Sequence, residues 1–216
     1  MKMERIDRVR AALCAQGLTQ MIVCDPKSVW YLTGVAVEPY ERLLALYLPT
    51  DGEPVLFLNK LFNVSNPPCK TVWHTDTDAP VAQIAAVVNA ANPLGIDKEW
   101  PAKFLIPLME AHPGMQVVLS SDCVDDCRAC KDAEEQRLMR EASRINDEVN
   151  EAAKHYVKVG MTEREVAEFI DAQFRAHGCE GPSFTTIVSF GANAADPHHE
   201  PDGTVLKEGD CVLFDM

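Results

Sequence analysis

Two adjacent histidines follow a proline in the segment Ser189-Phe-Gly-Ala-Asn-Ala-Ala-Asp-Pro-His-His-Glu-Pro201. Proline fixes its own φ and restricts the residue before it, so His198 and His199 leave a stiff stretch of chain. Glycine and alanine on the approach leave room for a ligand, and loops held by strands commonly carry catalytic groups. The same composition equally describes a surface loop whose polar side chains meet only water. A second candidate is Asp215, where one carboxylate interrupts the apolar run Val212-Leu-Phe-Asp215. A buried, unpaired carboxylate is costly, which calls for a metal, a cation or a set of hydrogen bonds. One carboxylate is not a metal site, because Mn²⁺, Co²⁺ or Zn²⁺ in a hydrolase takes three or more ligands. A strand-end aspartate facing solvent is the plainer alternative.

Cys123, Cys127 and Cys130 have the spacing C-x3-C-x2-C, with no fourth cysteine nearby. Structural zinc sites use tighter pairs and four ligands, so ordinary thiols around a helix start are expected. His74 and His112 fall near segment ends, and His155 and His177 late in helices, where a cation suits the dipole. Trp30 and Tyr31 could wall a pocket or simply pack together. Dinucleotide, P-loop, nucleophile-elbow and H-E-x-x-H patterns are absent, so nucleotide-dependent transfer and serine acyl chemistry lack their usual support.

The elements that must position these residues follow from periodicity. Ile6, Val9 and Leu13 predict an amphipathic first helix stopped by Gly17. Gln20–Cys24 reads as a strand and Asp25-Pro26 as a turn. Leu43–Leu48 and Val55–Leu58, joined by Pro49-Thr-Asp-Gly52, predict a hairpin. A helix over 79–91, a strand over 94–97, a helix over 101–110 and a strand over 116–119 complete a mixed α/β pattern. A long helix is then predicted from Asp132 to Val157, with Leu138, Ala142, Ile145, Val149, Ala152 and Tyr156 on one stripe. Thr162 and Glu165 form a capping box for the next helix. Its inner face carries Val166, Ile170 and Phe174, and Gly178 caps its end. Phe184–Phe190 and Cys211–Phe214 read as strands on either side of the histidine loop.

The chain has 216 residues, of which 47% are apolar and 25% charged, and its formal charge is -13. Residues 1–125 carry a net charge of -4 and residues 126–216 one of -9. That step, beside the polar stretch Ser120–Asp126, sets the expected domain boundary. So acidic a chain is not expected to bind nucleic acid. No apolar run reaches the roughly 18 residues of a membrane span, and the charged N-terminus is unlike a signal peptide. With eight cysteines read as reduced thiols, these features predict a cytoplasmic protein that does not associate with membranes.

The same residues resemble those of the metal-dependent prolidase / aminopeptidase P / creatinase group, whose catalytic domain has the pita-bread fold. Val29-Trp-Tyr-Leu-Thr-Gly34 is similar to that group's N-terminal-domain signature. Arg128-x-x-Lys131 with Glu134 or Glu135 resembles its domain junction, and Gly160-Met-Thr-Glu163-x-Glu165 the turn between the first two catalytic helices. Ser183-Phe-x-x-Ile187 through Gly191-x-Asn193-Ala-Ala-x-Pro197-His198 resembles the strand and loop that bear the active-site histidine. The run from Lys207-x-Gly-Asp210 to Asp215 resembles the strand bearing the first metal ligand. Met216 stands where relatives usually carry a glycine.

The resemblance implies an α/β creatinase/prolidase-like N-terminal domain over 1–125. It implies the incomplete start of a pita-bread α+β catalytic domain over 126–216. By it, His198 is the catalytic, substrate-binding histidine, and Asp215 is the first ligand of a centre of two divalent ions, Mn, Co or Zn. In such a centre a bridging water attacks the scissile carbonyl. Relatives hydrolyse the bond preceding proline in small peptides and are usually dimeric, and a bacterial source fits. The group's remaining metal ligands fall beyond residue 216, so this chain is expected to hold no metal stably and to be inactive alone. Two other readings stay open: an inactive pita-bread paralogue serving as a binding or scaffold protein, and a creatinase-like hydrolase of a non-peptide C–N bond.

Overall fold

In the computed structural model, which describes residues 1–216, the apolar runs of the first half become strands covered on both faces. These are β1 (Gln20–Val23), β2 (Ala45–Pro49) and β3 (Val55–Asn59); they are joined by β4 (Lys70–His74), a half-exposed strand that the sequence pattern did not predict, by β5 (Leu94–Ile96), and by β6 (Val117–Leu119), whose Val118 and Leu119 are exposed. They form one mixed sheet in the order β4-β3-β2-β1-β5-β6. The expected hairpin is present, with Leu46 opposite Leu56 in an antiparallel pair. β1 lies antiparallel to β2 and parallel to β5.

Side-chain alternation sorts the core into two layers. Met21, Val23, Leu46, Leu48, Leu56 and Leu58 pack with residues of α1 (Met3–Ala15), α2 (Pro26–Thr33) and α5 (Asp122–Ala129). Ile22, Ala45, Tyr47, Val55 and Phe57 face the opposite layer, α3 (Pro80–Ala85) and α4 (Ala102–Ala111). Gly95 sits at a close approach within the sheet. A Cβ there would lie 2.5 Å from Ser120 Oγ and 3.2 Å from the Gln20 carbonyl oxygen.

Two local expectations change. Asp25-Pro26 is a helix start rather than a plain turn. The Asp25 carboxylate accepts the N–H groups of Lys27 and Ser28, and Pro26 occupies the first helical position, where its missing N–H costs nothing. The helix expected over 79–91 ends at Ala85. Beyond it the buried Gln20 side chain engages the backbone, donating to the carbonyls of Asn89 and Asn92 and accepting the Asn89 N–H.

The chain divides into two compact units, Met1–Lys131 and Asp132–Met216. The charge step placed the junction at 125/126, but α5 belongs with the first unit. Cys123 and Val124 are buried in the same layer as Ile6, Val9 and Leu13.

The second unit contains α6 (Ala133–Tyr156), α7 (Glu163–Ala176), β7 (Ile187–Phe190) and β8 (Val212–Asp215). β7 and β8 pair antiparallel, with Val188 opposite Phe214 and Ile187 opposite Asp215. Asp132 and Thr162 each close a full capping box on α6 and α7. At the end of α7, Gly178 has φ 83°. The Cys179 and Gly178 N–H groups bond to the Phe174 and Arg175 carbonyls, the Schellman arrangement. Val149, Ala153, Val166, Ile170, Phe174, Val188 and Phe190 form the core. The expected stripe of α6 is buried only toward its C-terminal half, while Leu138 is 52% exposed and Ala142 is exposed. Geometry explains this. A 24-residue helix runs about 36 Å, whereas a four-residue strand covers about 13 Å.

Candidate active site

The histidine loop is built outward from the N-terminus of α7. A helix start leaves its first N–H groups without helical partners, and here the far side of the loop supplies them. The Glu163 N–H bonds to the Thr204 carbonyl at 3.1 Å and the Arg164 N–H to the Asp202 carbonyl at 3.2 Å. Leu206 and Gly160 continue the lacing through a 2.9 Å bond from the Gly160 N–H to the Leu206 carbonyl. The near side leaves β7 through a 3-10 turn over Gly191–Ala195. Gly191 has φ 53°, and a Cβ on it would meet the Asp210 carboxylate at 3.0 Å.

Between these two anchors lies Glu163, fully buried at the first turn of α7. One carboxylate oxygen accepts the Phe190 N–H at 2.7 Å and the Asn193 amide at 3.0 Å. The other accepts from His199 Nε2 at 2.7 Å and from the Asp202 N–H at 3.2 Å. The helix dipole adds favourable positive potential at this end. The His199 imidazole is raised above its ordinary pKa, first by its hydrogen bond to Glu163 and further by that carboxylate's charge. Asp202 is held below the usual carboxylate range, mainly by the Thr204 hydroxyl and N–H.

His198 stands apart from this network and is exposed. Asp196, Pro197, His198 and His199 make a turn closed by a 3.3 Å bond from the His199 N–H to the Asp196 carbonyl. The Asp196 side chain accepts the His198 N–H at 3.0 Å. Proline at the second position of such a turn presets its φ, which is the stiffness read from the sequence. Asp215 lies at the end of β8, exposed, opposite Ile187. The loop therefore uses its two histidines differently: His199 is tied inward and His198 is left outward.

Ligand atoms of Glu163, His199 and Asp202 all lie within 4.8 Å of one another, close enough for a metal ion. The hydrogen bonds argue against that use. A carboxylate offers about four acceptor positions, and Glu163 has four donors. Two of them are backbone N–H groups, one on each oxygen, so a metal bound through either oxygen would compete with a backbone donor. Neither Asp215 nor the cysteine triplet belongs to any group of three such ligands. Cys123 is buried, with its thiol pushed up to about 11, mainly by burial and then by the charge of Cys127. Cys24, hydrogen-bonded to Asp97, is also pushed up by burial. Neither thiol is a poised nucleophile.

The remaining candidates resolve simply. Tyr31 packs, its hydroxyl accepting from Arg8 at 2.6 Å and donating to the Cys127 carbonyl at 3.0 Å. Trp30 instead lines an open pocket with Pro26, Lys27 and Val37. The sequence offered His199 only as one of the adjacent pair and Glu163 only as part of the capping turn, and gave neither the inward role that the structure shows. The available signal was an acidic residue next to the Thr162 cap, which usually reads as a dipole complement on the surface.

An α/β unit followed by helices backing a hairpin with a histidine loop defines a two-part protein with a partial pita-bread domain. A model described as the creatinase/prolidase N-terminal domain matches residues 5–130, and one described as metallopeptidase family M24 matches residues 137–216. The chain belongs to the creatinase/prolidase N-terminal-domain family, and its C-terminal portion is similar to the metallopeptidase M24 family. An uncharacterized peptidase of Staphylococcus aureus (strain bovine RF122 / ET3-1) is 31% identical over 225 residues, covering 99% of this chain and 62% of its own length. Dipeptidase PepE from Mycobacterium ulcerans is similar in structure, with a TM-score of 0.88 at 28% identity over 99% of this chain and 59% of its own. A prolidase from Thermococcus sibiricus gives a TM-score of 0.88 at 25% identity, over 100% and 61%. The chain spans 61% and 62% of the length of the first curated relatives it matches. No helix is long and apolar enough to cross a membrane.

Proposed function

We propose that this chain is the N-terminal part of a metal-dependent peptidase that cleaves small peptides before proline. In this reading the enzyme works in the cytoplasm as a homodimer. The observation that carries the reading is the loop between β7 and β8, whose stiff, pinned course leaves the His198 imidazole facing outward. An imidazole so presented can hydrogen-bond a peptide carbonyl and stabilise charge developing on its oxygen. Asp215 offers an oxygen donor suited to Mn²⁺, Co²⁺ or Zn²⁺. A bound metal pair supplies Lewis acidity and an activated water in such enzymes. The residues present do not fit a pair by themselves, because no group of three ligands includes Asp215. The tasks assigned to this chain are therefore binding ones: His198 orients the substrate and Asp215 contributes one ligand.

The test compares the 216-residue chain with the product of its gene read through any codons that follow. Both are assayed on Xaa-Pro and Xaa-Ala dipeptides, with Mn²⁺ and with EDTA. The expected result is EDTA-sensitive cleavage of the proline substrates by the longer product alone, abolished by Asp215→Asn and strongly reduced by His198→Gln. Metal-independent cleavage, or a longer product inert on every peptide, would overturn the reading; the inert outcome favours a binding protein.

A further inference from the structure

Glu163 lies outside the segment that carries His198, yet its carboxylate is spent on that segment. Its four donors fall on both sides of the histidine: Phe190 and Asn193 before it, His199 and Asp202 after it. The residue is fully buried, and burying a carboxylate is costly unless partners replace its water. A loop tied down only for stability could use apolar packing, as Phe190 and Leu206 already do in the core. A charge with donors from four residues instead fixes the course of the backbone, because each bond constrains direction as well as distance.

We propose that Glu163 is a positioning residue for His198. By holding residues 190 and 193 on one side and 199 and 202 on the other, it determines where the exposed imidazole stands. What the positioning serves rests on the peptidase reading above. Whether the positioning exists does not, and it can be measured on the 216-residue chain without any peptide.

The experiment is amide hydrogen exchange with imidazole NMR on the wild type, Glu163→Gln and His199→Asn. Glutamine keeps the shape but turns an NH₂ toward donors that need an acceptor. The expected result for Glu163→Gln is faster exchange, by about tenfold or more, at the Phe190 and Asp202 amides. The His198 ring resonances should shift and sharpen, while the interior amides of α7 at Ile170 and Phe174 keep their rates. His199→Asn removes one of the four bonds and should give a smaller change at the same places. It decides the matter by the same comparison if Glu163→Gln does not fold. Unchanged exchange at Phe190 and Asp202, or an equal rise at Ile170 and Phe174, would overturn the proposal. Loosening of the loop in a protein whose full product cleaves no peptide would overturn the peptidase reading and leave the positioning role standing.

Discussion

At the scale of single residues, the two histidines have different burdens. His199 is 16% exposed in its side chain and hydrogen-bonded to Glu163 at 2.7 Å, while His198 makes no side-chain bond inward and is exposed. The pair gives a pH prediction. The folded imidazole of His199 titrates above the unfolded one, so its charge stabilises the fold fully below the ordinary histidine pKa of ~6.5. That contribution fades as the pH rises through the higher folded value, where the neutral ring keeps its hydrogen bond but loses its charge. The difference in Tm between wild type and His199→Asn should therefore narrow from pH 6 to pH 9. A difference that stays constant across this range would contradict the assignment. A proline followed by two histidines was visible in the sequence, but the division of labour between them was not. It depends on which ring meets Glu163, 36 positions away.

At the scale of elements, the helices were largely legible because their ends carry local chemistry. Thr162 and Glu165 close the capping box expected of them, and Thr162→Ala should lower stability by about 1 kcal/mol in urea unfolding. The stripe on α6 was legible as a pattern, but its burial was not. Periodicity shows that one face is apolar, whereas the length of the opposing strands decides how much of that face is covered. Ile170, fully buried, should cost about 2–5 kcal/mol when cut to alanine. Leu138, on the uncovered half, should change stability by less than about 0.5 kcal/mol on the same substitution. Equal effects at the two positions would mean that the stripe is buried throughout. Five of the six strands of the first unit were also legible, but β4, a half-exposed strand of mixed composition, was not, and neither was the strand order, since pairing between β1 and β5 joins segments about 70 residues apart.

At the scale of the whole molecule, the two units differ in the sheet and core that each builds for itself. Every residue of the two large core layers falls within Met1–Lys131, so residues 1–131 should unfold cooperatively when expressed alone. The second unit has a two-stranded sheet and exposes Leu138, Met139, Phe184, Val212 and Leu213. Sheets so small are marginal, and exposed apolar patches promote association. Residues 132–216 alone should therefore form oligomers by light scattering. A monodisperse monomer with a sharp melt would show that this surface is harmless.

By itself, the sequence determined the alternation of strands and helices, the caps, the stiff approach to His198 and the lone carboxylate at Asp215. Each of these depends on residues within a few positions of one another, where backbone sterics and local hydrogen bonds decide. Only the tertiary structure decided that α5 belongs to the first unit, that half of the α6 stripe stays open, and that Glu163 is a buried anchor rather than a surface charge. Those outcomes depend on groups far apart in the chain. The cost of burying a carboxylate is offset only once the fold has brought its four donors to it.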